Sequence, residues 1–342
     1  TAALGLGLIG APVGTLISFT FASPYLDKIG YGRLLPWALP LLAALYALAV
    51  HAPSPLILFL MLLPVGVVIG CVEIMLNAEA DRTEFMVGRR IMNRSHAFWS
   101  IGFFSAGLFG AQVASFGISP QLHLALVVPI VGLGSYLALH DYAPSPPRGA
   151  EADHKAPLIV APTWPILVLV VVTIPAMVLE GASMDWSAIY MRDSFGSDKF
   201  WQGIAVASFA VLQGLMRFYA DGVVERFSPA ALARVLFVAL GLGCITVVLS
   251  PWPILSLIGF AAMGLGTSAI FPLAMSAAAQ RNDRPSALNI AALAQFSFMI
   301  FLIAPPILGF IAHGWGIRTA YGIALPFVLI SLVTAGALGK KH

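Results

Sequence analysis

Apolar residues in this chain come in long stretches of similar length, separated by short polar breaks. A helix rising 1.5 Å per residue crosses about 30 Å of hydrocarbon in about 20 residues. Stretches of that order cover residues 1–23, 34–50, 56–80, 91–117 and 122–140, and then 165–190, 201–221, 229–249, 254–280, 285–312 and 321–339. The pattern predicts eleven spanning helices, five before a polar, proline-rich break and six after it. The break reads DYAPSPPRGAEADHKAP and is expected to be a flexible linker. The expected division is a first lobe over 1–140, a linker over 141–164 and a second lobe over 165–342.

Composition agrees with an all-α polytopic membrane protein. Hydrophobic residues make up 59% of the chain and charged residues 10%, with a mean hydropathy of +0.92. A soluble domain carries about 25% charged residues. The basic residues place the loops. Strict alternation over eleven spans puts all but Arg192, Lys199 and Arg318 of the 18 Lys and Arg residues on one side. By the positive-inside rule that side is cytoplasmic, and so is the C-terminus. Cys71 and Cys244 both fall in apolar stretches, which suggests neither a disulfide framework nor a metal site. Thr1 opens inside an apolar stretch with no initiator Met or cleavable signal, so one further helix is expected before it.

The halves repeat. LDKIG at Leu26–Gly30 has a counterpart in VERFS at Val224–Ser228, and GVVIG at Gly66–Gly70 in GLGTS at Gly264–Ser268. Asp27 to Glu225 and Gly66 to Gly264 are each 198 positions apart. One offset shared by two markers argues for two parallel six-helix repeats about a pseudo-twofold axis, with the first helix missing from this chain.

A 6+6 helical bundle with charged turns at these two places resembles the major facilitator superfamily over essentially the whole chain. The family's loop signature appears as Ser23-x-x-x-Asp27-x-x-Gly30 with Arg33 displaced, and more weakly around Asp221 and Glu225. Within the superfamily, GCVEIMLN at Gly70–Asn77 followed by HAFWSIG at His96–Gly102 looks like the fucose-permease branch. EGASMDW at Glu180–Trp186 and APPILG at Ala304–Gly309 look like related uncharacterised bacterial inner-membrane transporters. The resemblance implies a bacterial plasma-membrane protein that works by alternating access.

Ionisable groups in apolar stretches are costly and mark the candidate chemistry. Glu73 and Asn77 are four apart and share a helix face, as do His96 and Trp99, three apart on the next helix. A carboxyl at membrane depth can load and release a proton, so Glu73 is the leading proton-coupling candidate, and Glu180, beside Gly181 and five after Pro175, is the second. A hydrogen bond between helices is the plain structural reading of Glu73, while Glu180 is open as a proton or a substrate group. Asn77, His96, Trp99, Asn289 and Gln295 are candidate substrate-binding groups, with interhelical bonding or packing as the alternative. Arg217 and Asp221, four apart, read as a local ion pair. Asp185 is expected to be solvated, and Trp186 to sit in the interfacial aromatic belt. If two lobes rock, Asp27 is expected to latch near Arg281 or Arg284, and Glu225 or Asp221 near Arg90 or Arg94.

A GxGxxG string at Gly5–Gly10 lies within a span, and the sequon at Asn93 falls on the cytoplasmic side, so neither carries function. Nothing resembles a nucleophile–base pair, a metal cluster or a nucleotide cradle, so neither an enzyme nor a cofactor is expected. The expected partners are a small-molecule solute, protons and the lipid bilayer. Nucleic acid is not expected, and the protein is expected to be a monomer. The leading expectation is a proton-coupled secondary transporter of a small, sugar-like polar solute. Drug or metabolite efflux is the alternative, and a non-transporting membrane sensor the reading of another class.

Overall fold

The computed structural model describes residues 2–87, 92–145, 160–281, 283–284 and 286–339. Its helices are α1 (Ala2–Leu8), α2 (Gly10–Phe21), α3 (Ser23–Ile29), α4 (Tyr31–Ala49), α5 (Pro55–Val87), α6 (Met92–Ser115) and α7 (Pro120–Leu139). Then come α8 (Trp164–Phe195), α9 (Lys199–Arg226), α10 (Pro229–Leu249), α11 (Pro253–Thr267), α12 (Ile270–Ala279), α13 (Ser286–Trp315), α14 (Ile317–Gly322) and α15 (Leu325–Thr334). A 3₁₀ turn over Ala335–Leu338 closes the series, and no strand occurs among the described residues. They make eleven segments long and apolar enough to cross a membrane. The chain is an all-helical, multi-pass membrane protein.

By contact it divides into two units. The first holds residues 1–92 and 116–155, with α1–α5 and α7, and the second holds residues 93–115 and 156–342, with α6 after its first residue and α8–α15. In the first unit, α2 lies against α5 so closely that a Cβ on Gly66 would collide with the carbonyl oxygen of Ala11. Thr15 and Ser18 of α2 donate to the carbonyls of Gly66 (3.1 Å) and Val67 (2.7 Å). In the second unit, a Cβ on Gly264 would collide with the carbonyl oxygen of Phe209. Ala11 to Phe209 is again 198 positions, so the offset is carried by matching helix contacts as well as by the loops. Without lipid-water contrast to drive them together, membrane helices gain most from close backbone approach, which small residues permit.

The second unit has a large aromatic core. Trp186, Tyr190, Phe209, Phe237, Phe260 and Tyr321 are essentially fully buried. Tyr190 donates to the Val247 carbonyl (2.6 Å), and Tyr321 to that of Ala182 (2.8 Å). Trp186 therefore belongs to the core and not to an interfacial belt, because α8 is packed on several sides by the helices that follow it.

Prolines inside spans remove an N–H and strand the carbonyl four residues earlier, at a cost of about 3 kcal/mol in an unsupported helix. Three such carbonyls are recovered by side chains from other helices. Pro40 strands the carbonyl of Pro36, which accepts from Ser135 Oγ of α7 at 2.9 Å. Pro175 strands that of Val171, which accepts from Ser331 Oγ of α15 at 3.2 Å. Pro272 strands that of Ser268, which accepts from Arg217 Nε of α9 at 3.1 Å. Pro175 and Gly181 flank Glu180 without interrupting α8. The helix is continuous from Trp164 to Phe195, and the break lies between α11 and α12, at Ser268 and Ala269.

Candidate functional site

In the first unit, Glu73 sits on α5 seven residues before Ala80, where the spanning segment ends, or about 10 Å along the axis. Asn77 Nδ2 donates both to the Glu73 carbonyl (2.9 Å) and to Glu73 Oε2 (3.1 Å). The amide thus serves the carboxyl on its own helix, as the four-residue spacing allows. Both side chains are partly buried. His96 and Trp99 are on α6, which belongs to the second unit.

The second unit gathers a charged cluster whose centre is Arg217. Its Nη2 donates to Glu180 Oε1 at 3.1 Å, its Nη1 to Ser100 Oγ at 3.3 Å, and its Nε to the Ser268 carbonyl. Glu180 stands 16 residues from Trp164 and 15 from Phe195 in α8, so the pair lies about 22–24 Å from either helix end. The Arg217 and Glu180 side chains are only 14% and 12% exposed. Taking two charges out of water is repaid only when the remaining donors are also satisfied. Here each guanidinium nitrogen has a partner, one of them a carbonyl that Pro272 left open.

Around the pair, the Arg217 guanidinium lies 5.9 Å from the centroid of Trp99, whose ring stacks on Phe103 and whose side is 45% exposed. His96, one turn before Ser100, lies within reach of the Arg217 charge. Gln213, one turn before Arg217, is buried and donates to Thr267 Oγ1 at 3.3 Å, and its amide oxygen has no partner among the described residues. Arg217 pairs with Glu180 across α8 and α9, and the side chain of Asp221, its expected local partner, lies outside the described residues. Arg217 consequently lies within a spanning segment and not in a loop. The sequence offered two signals for it, the spacing of Gln213 and Arg217 on one face and Pro272 four residues after Ser268.

Asn289 and Gln295 have a different setting from the expected substrate lining. Gln295 Oε1 accepts from the Val160 amide at 3.0 Å. Asn289 is buried, accepts from Arg284 Nε at 2.6 Å and donates to Asp283 at 3.1 Å. Arg284 also reaches the Ala161 carbonyl (2.7 Å), and Thr163 donates to Asp283 (3.1 Å). Together they tie down the far end of the linker. The near end is tied too: Glu79 accepts from the Tyr142 hydroxyl (2.5 Å) and the Ser145 amide (2.6 Å). Burial and that carboxylate push the Tyr142 hydroxyl well above its ordinary range. A freely flexible 141–164 needs this correction at both ends, while residues 146–159 lie outside the described residues.

Among the gating candidates, Arg281 pairs with Asp283 (3.3 Å) and Arg284 belongs to the linker anchor. Arg90 and the side chains of Asp27, Arg94, Asp221 and Glu225 lie outside the described residues. No group of His, Cys, Asp or Glu able to hold a metal ion occurs among the described residues.

The family model described as Major Facilitator Superfamily matches residues 168–340. The chain belongs to this superfamily. Relatives agree: an uncharacterized transporter of Sinorhizobium fredii is 28% identical over 342 residues, covering 98% of this chain and 89% of that protein. An uncharacterized MFS-type transporter of Yersinia pestis is 24% identical, covering 99% of this chain and 87% of that protein. Among solved structures, the nucleoside transporter NupG superposes with a TM-score of 0.67 at 14% identity, over 98% of this chain and 89% of that one. The E. coli fucose:proton symporter FucP does so at 0.59 and 16% identity, over 99% and 98%. This superfamily member is a multi-pass membrane transporter and not an enzyme.

Proposed function

We propose that this transporter moves a small polar organic solute, sugar-like in size and polarity, by alternating access coupled to protons. It acts as a monomer in the bacterial plasma membrane with its C-terminus in the cytoplasm. The observation that carries the reading is Glu73, a carboxyl lodged in a spanning helix with the Asn77 amide bonded to it. A central ionised residue costs about 2.5–3.5 kcal/mol on insertion scales, and protonation avoids most of it. Such a group is suited to carry a proton between the two sides. In this reading Glu73 and Glu180 serve coupling, while Asn77, His96 and Trp99 contact the solute. A nucleoside transporter and a fucose:proton symporter as fold neighbours support a solute of this size and polarity.

The test is transport in proteoliposomes under an imposed pH gradient. Inward protons should accumulate solute, and Glu73→Gln should keep counterflow while losing uphill uptake. Accumulation by the Gln variant at the wild-type rate would remove Glu73 from coupling. Movement of solute against inward protons would indicate efflux, and no movement of any solute would leave a sensor.

A further inference from the structure

We infer that Arg217 is the anchor for a carboxylate on the transported solute, and that Glu180 holds that place while the protein is unloaded. The inference rests on the transport reading above and narrows its solute class to acids. Arg217 is positioned without Glu180: Ser100 Oγ and the Ser268 carbonyl hold two of its nitrogens. The Ser268 contact is built into the backbone, since Ser268 lies in the break between α11 and α12 and Pro272 removes the N–H four residues on. Among the described residues Glu180 is held by one contact, in which its Oε1 accepts from Arg217 Nη2. Guanidinium has five N–H donors, and the described residues take three of them, leaving one on each Nη for a planar carboxylate.

A recognition surface adjoins the pair. Trp99, 45% exposed, offers a ring face beside the guanidinium. The amide oxygen of buried Gln213, one turn from Arg217 and unpartnered among the described residues, awaits a donor such as a solute hydroxyl or protonated Glu180. Other ionisable groups near the pair are His96, which feels the Arg217 charge from α6, and Asp185 on the same helix as Glu180. A third is Asp221, four residues after Arg217 on α9, whose side chain lies outside the described residues. Helices α11, α12 and α15 have no ionisable side chain, and α13 has only His313 in its last turn. In α14, Arg318 donates to the Val248 carbonyl and Tyr321 to that of Ala182.

Charge then dictates a proton. Unloaded, the Glu180 anion and the Arg217 cation cancel. A solute carboxylate that takes Arg217 leaves Glu180 as an uncompensated anion deep in a span, which is costly. Glu180 therefore binds one proton from water per solute carboxylate, forming an O–H bond, and the loaded site is again neutral. At this site, loading a monocarboxylate with its proton adds no net charge, whereas loading a neutral solute with a proton adds one.

The experiment uses the purified full chain with two matched pairs of probes, galacturonate against galactose and gluconate against sorbitol. Binding is followed by calorimetry in buffers of different ionisation enthalpy, which counts protons. The acid of at least one pair should bind roughly tenfold or more tightly than its neutral partner, with uptake of about one proton. Glu180→Gln should bind the same acid without proton uptake, and Arg217→Gln should lose the preference for the acid. Acids that bind no better than their partners, or bind without proton uptake in the wild type, would overturn the inference. Wild-type proton counting keeps the test decisive if a variant fails to fold. In proteoliposomes, proton-driven uptake of galactose or sorbitol but of neither acid would sink this inference and leave the transport reading standing. Absence of any solute movement would sink both.

Discussion

Arg217 and Glu180 meet at 3.1 Å across α8 and α9, although 37 positions separate them in the chain. The pair is unequal: Arg217 has two further protein partners, Ser100 and the Ser268 carbonyl, while Glu180 has only the guanidinium among the described residues. Removing either partner alone strands a charge. We expect Arg217→Gln or Glu180→Gln to cost about 2–3 kcal/mol each, below the 3–5 of a fully buried pair because both side chains keep some exposure. The double variant should cost less than the two single losses together, with a coupling of about 1 kcal/mol or more. Thermal melts in detergent would show this, and strictly additive losses would mean that the pair contributes no coupling.

The proline-stranded carbonyls make a prediction about non-additivity. Ser331→Ala should cost about 1 kcal/mol, the usual worth of one hydrogen bond, because it leaves the Val171 carbonyl unmet. In a Pro175→Ala background residue 175 regains its N–H, which can bond Val171 along the helix. Ser331→Ala should then cost a few tenths of that or nothing. The same loss in both backgrounds would show that Ser331 acts through packing.

Spans, their number and the 198-residue offset were readable because each depends on local composition or on self-comparison. The shared face of Glu73 and Asn77 was readable for the same reason, since both lie on one turn of one helix, but the expectation of bonds between helices passed over the bond within that turn. Arg217 was not readable. Its partner comes from another helix, and Asp221, four residues on, offered a closer candidate that satisfied the helical spacing rule. Asn289 and Gln295 left both of their readings open in another way. A polar residue in an apolar helix signals that a partner exists, and the spacing does not say whether that partner is a solute or a returning segment of backbone. Here it is the Val160 amide and the loop with Asp283 and Arg284.

Gly66 and Gly264 give a prediction for each unit. An added Cβ at either meets a backbone oxygen that cannot rotate away, so the helices must separate. We expect Gly66→Ala and Gly264→Ala each to lose at least about 1–3 kcal/mol, the usual range for overpacking. Gly132 of α7 has open space where a Cβ would go, so Gly132→Ala should be neutral, or stabilising by about 0.5–1 kcal/mol. Chemical denaturation or melting of the three variants would decide. Tolerance of alanine at Gly66 and Gly264 would show that the two contacts are less tight than described.

The linker anchor makes a prediction about acid. Burial pushes the Asp283 carboxyl up, but hydrogen bonds from Asn289 and Thr163, its own backbone and the Arg281 charge outweigh that and hold it below its ordinary value of 3.8. A carboxyl depressed in the folded state contributes stability above its unfolded value and loses it as pH falls through the folded one. Asp283→Asn keeps an acceptor oxygen for Thr163 and Asn289 but removes the charge. The melting-temperature difference between wild type and this variant should be steady from neutral pH down to about pH 5. It should then shrink as the pH falls below 3.8, where the wild-type carboxylate is progressively protonated. A difference that persists undiminished in strong acid would mean that the charge of Asp283 does not hold the linker end in place. A change centred near neutral pH would instead implicate a histidine.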